Sequence, residues 1–180
     1  MTLKLLWPTP VWEIETPELS DIVSPLLHEI KNTPADPENY FKTDLPEASK
    51  FVKMLGPIID GAMQEGNYRW KYSKVSWGRA VRMTQGSWDS PHIHLSPMLV
   101  GVFYLQVQKG HGDLYLVPSS GNSGFTTHHD GSKGTRLYHQ IEAKEGKLVL
   151  MPADLVHFVL PNTIPLPRYS IALNIAMNPL

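Results

Sequence analysis

The sequence contains no cysteine, which excludes disulfide bonds, thiolate chemistry and zinc or iron–sulfur sites built on cysteine ligands. It also lacks an excess of positive charge, because 16 lysine and arginine residues are balanced by 17 aspartate and glutamate residues. Binding to a nucleic-acid backbone depends mainly on such an excess, so we predict no nucleic-acid partner. No apolar run approaches the ~20 residues that span a bilayer, and the proline-broken N-terminus does not resemble a signal peptide. We therefore predict no membrane partner and a cytoplasmic location.

Proline and histidine, in contrast, are abundant. Sixteen prolines among 180 residues exceed the usual ~5% and favour many turns and short strands. There are eight histidines, and without cysteine any transition-metal site must use histidines and carboxylates. A chain of this length forms one domain with a full core and leaves little room for a second. We predict a single domain over residues 1–180.

The N-terminal third predicts two amphipathic helices, within about residues 16–65. Apolar residues recur at helical spacing over 19–30, with Thr16 as the predicted N-cap. A second apolar stripe predicts a helix that begins at Pro46 and ends near Gly66.

Beyond the helices the apolar period changes to two, which predicts a β core over about residues 67–177. The stretch 98–107 is apolar on both faces and predicts a central strand that is covered on both sides. Short strands separated by turn residues favour a sandwich or jelly roll over alternating βαβ units. The segment 118–135 is rich in glycine and serine and predicts a long loop. The further predicted strands are 68–72, 75–83, 113–117, 137–141, 147–151, 156–160 and 169–176.

Three histidines are candidate metal ligands. His92 and His94 are two residues apart, so on an extended chain both imidazoles point to one side and could reach one ion. His157 follows a Pro-Ala-Asp turn, and a jelly roll can bring it opposite His92, since strands distant in sequence become neighbours there. The alternative is that these are ordinary structural histidines. A rival His-His-Asp set at residues 128–130 lies in the long loop, where no strand would hold it.

The last predicted strand has one bulky apolar face and one small polar face. The polar face consists of Arg168, Ser170, Ala172 and Asn174. A guanidinium binds a carboxylate through two hydrogen bonds, and a hydroxyl two residues further on can add another. This face therefore predicts a cavity for a small anion. The alternative is an exposed edge strand with the arginine in solvent.

The connection over 161–167 predicts that residues 155–160 and 168–176 form a hairpin. In such a hairpin Arg168 pairs with Val159, which places the guanidinium roughly 7 Å along the sheet from His157. A short dicarboxylate could then contact a metal at one end and the arginine at the other.

Several motifs in the chain together resemble a known superfamily. They are the opening 6–11, His92-x-His94, the segments 101–105 and 145–152, His157 with Pro161, and Arg168-x-Ser170. The superfamily is that of the iron(II)/2-oxoglutarate oxygenases, and within it the chain is most similar to a small 2OG-Fe(II) oxygenase family of bacteria and phages, distantly related to prolyl hydroxylases. The resemblance covers about residues 5–178, and 157–170 is its most specific part.

The resemblance implies a mainly β fold with N-terminal helices, a cupin-like double-stranded β-helix (jelly roll). It implies iron(II) held by His92 and His157, with 2-oxoglutarate as cosubstrate. The implied activity is that of a dioxygenase which hydroxylates an unidentified small-molecule or peptide substrate and releases succinate and CO2. The residues implied around 2-oxoglutarate are Arg168, Ser170, Tyr104 and Asn174.

One position departs from the superfamily pattern. Its usual triad has two histidines and one carboxylate, whereas here His94 occupies the expected carboxylate position. The resemblance to the smaller family favours His94 as the third ligand, and Asp89 is the nearest carboxylate alternative. Three neutral ligands also suit a cupin-type enzyme that does not use 2-oxoglutarate. A jelly-roll binding module without activity is the third alternative.

Overall fold

The computed structural model describes residues 9–33, 45–66, 68, 70–95, 98–118, 126–127, 133–134 and 138–179. The rival set at 128–130 lies outside these residues. The helices are α1 (Ser20–Asn32), which follows a 3-10 turn at Pro17–Leu19, and α2 (Pro46–Glu65). The strands are β1 (Trp12–Glu15), β2 (Trp70–Met83), β3 (Asp89–His92), β4 (Leu99–Gln106), β5 (Leu114–Leu116), β6 (Thr126–Thr127), β7 (Lys133–Gly134), β8 (His139–Ile141), β9 (Lys147–Pro152), β10 (His157–Val159) and β11 (Arg168–Pro179).

The described strands form two main antiparallel sheets. The larger sheet has the order β1-β9-β4-β11-β2, and the smaller has the order β3-β10-β5-β8. Strands β6 and β7 pair only with each other. Buried side chains of the two main sheets share one apolar cluster, in which Tyr104 and Val149 of the larger sheet meet Leu114 and Val159 of the smaller. The predicted mainly β jelly roll with N-terminal helices is confirmed.

The two helices cover the outer face of the larger sheet. The bulky face of β11 packs into their apolar cluster, as the period-two pattern predicted. In the same cluster the rings of Phe51 (α2) and Phe103 (β4) lie 4.9 Å apart. Each fully buried side chain of this size contributes about 1.5–3 kcal/mol. The helices therefore hold the larger sheet in place and leave its other face for the site.

Helix capping differs from the prediction in one detail. Thr16 makes no capping hydrogen bond; its hydroxyl instead donates to the Gly146 carbonyl at 2.6 Å, and the helix opens with a 3-10 turn. The N-terminus of α2 is capped from outside, since the Glu29 carboxylate of α1 accepts from the Glu47 and Ala48 amides at 3.1 and 2.9 Å. These contacts satisfy backbone groups that a helix end leaves free.

The predicted hairpin between residues 155–160 and 168–176 is wrong. Strand β10 pairs with β3 and β5, whereas β11 pairs with β2 and β4 in the other sheet. The connection crosses between the sheets and is held by Asn162, which is 1% exposed and donates to the Met83 and Leu166 carbonyls. Arg168 consequently pairs with Met83 and approaches His157 from the opposite sheet.

Three strands at the edges of the sheets differ from the sequence prediction. The predicted strands 68–72 and 75–83 are one strand, β2, because an extra residue at Ser76 interrupts the alternation without ending the pairing. Strands β1 and β3 were not predicted, and neither were the two-residue strands β6 and β7 within the segment 118–135 that was predicted as a long loop. β3 contains Pro91, which a sheet tolerates at an edge.

Neither described helix is long and apolar enough to cross a membrane.

Candidate metal centre and its anion pocket

The three predicted histidines converge at the open edge between the sheets. His92 and His157 are register partners on β3 and β10, and their ring centroids are 4.3 Å apart. The His94 ring lies 5.3 Å from each of the other two. One ring nitrogen from each histidine lies within 4.8 Å of the others. This is a three-nitrogen donor set that can surround a single metal ion.

Each imidazole is oriented by a carbonyl oxygen at its Nδ1 atom. Nδ1 of His92 lies 2.7 Å from the Ser90 carbonyl, and Nδ1 of His157 lies 2.8 Å from the Leu155 carbonyl. A carbonyl can only accept, so Nδ1 carries the proton in both rings and Nε2 keeps its lone pair. Hydrogen bonds of this kind fix the tautomer and the ring orientation of metal-binding histidines.

His94 is held by two further contacts. Its Nδ1 donates to Oδ1 of Asn174 at 2.9 Å, and its amide donates to the Ala153 carbonyl at 2.8 Å. The Pro-Ala-Asp turn before His157 thus fixes the backbone of His94 as well. Asn174, predicted as a 2-oxoglutarate contact, lies beside the candidate metal centre through this bond. Asp89 lines the same cavity but does not belong to the three-nitrogen group.

Burial keeps two of the three histidines, His94 and His157, uncharged. The pKa of His157 is lowered to about 4, mainly by burial and to a smaller extent by the nearby His92 and His94. Burial also lowers the pKa of His94, with the proximity of His92 as the next cause. At neutral pH these two imidazoles are therefore neutral, which is the form that binds a metal.

Arg168 enters the same cavity from the larger sheet. Its side chain is 2% exposed, and its guanidinium donates to the Gly112 carbonyl at 2.9 Å and lies 5.0 Å from the centre of the Tyr104 ring. Strand β11 lies between β4 and β2, so the alternative of an exposed edge strand is wrong. Burial lowers the pKa of Arg168. Because the pKa of a guanidinium is ordinarily very high, the group still keeps its positive charge.

Two buried polar atoms, one in this guanidinium and one on the neighbouring Tyr104, lack a hydrogen-bond partner among the described residues. Among the described residues, Nε of Arg168 and the hydroxyl of Tyr104 make no hydrogen bond. Leaving a buried polar group unpaired costs about 1–3 kcal/mol. Burial raises the pKa of Tyr104 to about 12, so its hydroxyl stays protonated and can donate. Two unpaired donors in one place fit a carboxylate, which accepts several hydrogen bonds.

The cavity that joins the two groups has a volume of about 70 Å³. The histidines line it on the smaller sheet, while Arg168, Ser170 and Ala172 line it on the larger. Ser170 is 3% exposed, and its small side chain leaves room beside the guanidinium. The arrangement can therefore accept a metal ion at one end and the carboxylate of a bridging ligand at the other.

The jelly roll thus carries three converging histidines that could hold a metal ion and, in the same cavity, a buried arginine that could bind a small acid. The chain belongs to the family described as "Putative 2OG-Fe(II) oxygenase", whose sequence model matches residues 75–174. Iron(II) and 2-oxoglutarate are thus the cofactor and the cosubstrate, and the three-histidine group fits iron binding. The resemblance to this family is confirmed.

Several solved structures have a similar fold. A Pseudomonas putida prolyl-4-hydroxylase has a TM-score of 0.64 at 16% identity, over 96% of this chain and 89% of that one. A 2OG-Fe(II) oxygenase family oxidoreductase from Burkholderia pseudomallei has a TM-score of 0.69 at 12% identity, over 92% and 84%. HygX from Streptomyces hygroscopicus, solved with nickel and 2-oxoglutarate, has a TM-score of 0.66 at 13% identity, over 93% and 82%. The comparison with curated protein sequences gave no significant match.

Sequence reasoning missed the groups that orient the candidate ligands. The Gly112 carbonyl, which accepts from Arg168, lies 56 residues earlier in the chain. The bond between Asn174 and His94 joins residues 80 apart. The polar alternation of β11 indicated that Asn174 faces the site, but no sequence signal assigns it to His94.

Proposed function

We propose that His92, His94 and His157 hold the iron and that Arg168, Tyr104 and Ser170 bind the far carboxylate of 2-oxoglutarate. The observation that carries this proposal is the unpaired buried Nε of Arg168, which lines the same cavity as the histidines and lies beside Tyr104, whose buried hydroxyl is also unpaired. A site without an acidic cosubstrate would leave both donors unsatisfied. They therefore favour a 2-oxoglutarate enzyme over a three-histidine enzyme that does not use this acid.

Bound iron(II) supplies activation of dioxygen, coupled to the conversion of 2-oxoglutarate to succinate and CO2. The chain's own residues provide binding and orientation. The three Nδ1–H groups donate to fixed carbonyl oxygens and direct Nε2 toward the metal. The buried guanidinium and the Tyr104 hydroxyl hold one end of the cosubstrate, so that its other end lies at the histidines. The apolar walls, among them Val100 and Met151, exclude water from this region.

We further propose that the reaction is the hydroxylation of a C–H bond in a small molecule or a peptide. The narrow cavity and the net charge of −1 support a compact substrate over a nucleic acid or a membrane surface. The cytoplasmic location stays a prediction from the sequence.

The test measures binding and turnover separately in the full-length protein. Nickel(II), which does not react with dioxygen, replaces iron in anaerobic calorimetry with 2-oxoglutarate. We expect 2-oxoglutarate to bind the nickel-loaded protein and not the metal-free protein. With iron(II) in air, succinate release should need both iron and 2-oxoglutarate.

The histidine assignment is tested by His157→Gln, with His139→Gln as the control because His139 is exposed on β8. We expect His157→Gln to lower the affinity for nickel at least 100-fold and the control to leave it unchanged. Unaltered nickel binding by His157→Gln, or 2-oxoglutarate binding that does not depend on metal, would contradict the proposal.

A further inference from the structure

A second cavity lies beside the metal cavity and has no role in the site described so far. Its volume is about 190 Å³, and its lining includes Arg79, Arg82, Ser87, Trp88 and Asp89. Arg79 and Asp89 also line the metal cavity. A molecule in the second cavity would therefore lie next to the candidate metal centre.

Arg79 is the main polar feature shared by the two cavities. Its side chain is half-buried, and within the described residues it makes no hydrogen bond and no ion pair. Its positive charge is close enough to His94 to contribute to the lowering of that residue's pKa, of which burial is the main cause. A half-buried guanidinium without an acceptor, beside a cavity, is a binding group for an anion.

The register of the larger sheet separates Arg79 from the 2-oxoglutarate pocket. Arg79 pairs with Ala172, whose small side chain leaves space in front of the guanidinium, and Arg168 pairs with Met83. Four residues of strand separate these two pairs, which is about 13 Å at ~3.3 Å per residue. The two arginines thus occupy different ends of the site, and each can hold its own anion.

The rim of the second cavity adds an aromatic surface. Trp88 is 59% exposed. The turn before Trp88 is fixed, because the Gly86 amide donates to the Asn162 carbonyl at 2.7 Å and the Asn162 amide donates to the Ser87 carbonyl at 2.9 Å. An exposed indole offers a flat face for stacking with a ring or an apolar group.

The Arg79 guanidinium is the group of this cavity that can bind an anion. Arg79 and Asp89 both line the cavity, and no ion pair among the described residues joins them. The positive charge of Arg79 is therefore available to a ligand. A ligand with an anionic group for Arg79 and a flat apolar face for Trp88 would satisfy both features.

The geometry points to this cavity as the subsite for the main substrate, a small molecule that carries a carboxylate or phosphate group next to a flat or apolar portion. Arg79 binds the anionic group, and Trp88 contacts the flat portion. This inference rests on the proposed function, since it places the substrate beside the proposed metal centre.

The test uses nickel-loaded protein saturated with 2-oxoglutarate and three probes: phenylacetate, phenyl phosphate and the uncharged phenylacetamide. Calorimetry should show that the two anions bind at least tenfold more tightly than the amide. Arg79→Gln should remove this preference and leave the affinity for 2-oxoglutarate within twofold. Trp88→Ala should weaken all three probes. Lys74→Gln, which removes an exposed cation of the same strand, serves as the charge control and should change nothing.

Equal binding of anionic and neutral probes, or no binding of any probe, would overturn the inference. It would also be overturned if Arg79→Gln weakened 2-oxoglutarate binding as much as probe binding, because Arg79 would then belong to the cosubstrate pocket. If the nickel-loaded protein failed to bind 2-oxoglutarate but bound the anions through Arg79, the proposed function would fail and the anion site would stand.

Discussion

Replacement of Arg168 by glutamine tests the assignment of the anion pocket directly. The substitution removes a guanidinium that is 2% exposed and leaves the Gly112 carbonyl and the Tyr104 hydroxyl in place. Truncating one partner of a buried, hydrogen-bonded charge pair costs about 2–5 kcal/mol. Since 1.4 kcal/mol corresponds to a tenfold change in affinity, we expect 2-oxoglutarate to bind about 30-fold to about 4,000-fold more weakly.

The same variant should behave differently without ligand. In the ligand-free protein the buried guanidinium makes one described hydrogen bond, to Gly112, and its Nε atom has no partner among the described residues. A buried charge with incomplete hydrogen bonding is destabilising. We therefore expect ligand-free Arg168→Gln to have a Tm equal to or above that of the native protein, while its Tm no longer rises when 2-oxoglutarate is added.

Anaerobic calorimetry with nickel-loaded protein measures the affinity, and thermal unfolding with and without 2-oxoglutarate measures the stabilisation. Lys109→Gln is the charge control, because Lys109 is an exposed cation in the connection between β4 and β5. Nickel binding should be unchanged in both variants. If Arg168→Gln bound 2-oxoglutarate within threefold of the native protein, the carboxylate would not lie on Arg168 and the reasoning would be refuted.

Two further predictions concern stability. Without metal, the free energy of unfolding should fall as the pH drops from 6.5 toward 4, because the unfolded chain takes up a proton at His157 that the folded chain does not. The lowering of its pKa from 6.5 to about 4 corresponds to about 3 kcal/mol. The free energy of unfolding of His157→Gln, measured with urea at each pH, should lack this part of the pH dependence. An equal pH dependence in the variant and the native protein would contradict the prediction. Gly112→Ala should lower the Tm by several degrees, because a Cβ there would overlap the Leu160 backbone. Gly61→Ala, with nothing within 4 Å, should raise it by helix propensity, and equal behaviour of the two variants would refute the argument.

The alternation of β11 explains why much of the site could be predicted from the sequence. A strand in the middle of a sheet, covered on both sides, exposes each residue to one of two environments, and those environments differ here. The bulky residues pack against the helices, and Arg168, Ser170 and Ala172 line the cavity. A period-two pattern is a local property of a strand, so it can be recognised in the sequence without knowing which strands pair.

The pairing of strands is not local, and there the prediction was wrong. A seven-residue connection with three prolines is compatible both with a hairpin and with a crossing between sheets. In the crossing connection the Asn162 side chain donates to the Met83 carbonyl in β2 and to the Leu166 carbonyl within the connection itself. Such contacts between residues distant in sequence leave no periodic signal in the chain.

The crossing of the chain between the sheets places the candidate metal ligands and the anion-binding residues on different sheets. All three histidines come from the smaller sheet or the segment that follows β3, whereas Arg168, Ser170 and Tyr104 come from the larger sheet. The separation between a metal and the anion pocket is therefore set by the spacing of the two sheets, which is about 10 Å in packed sheets. A hairpin would instead have placed both groups on one sheet, at a distance fixed by strand register. A ligand that contacts both ends must bridge the sheets, so its binding should stabilise their packing as well as fill the cavity.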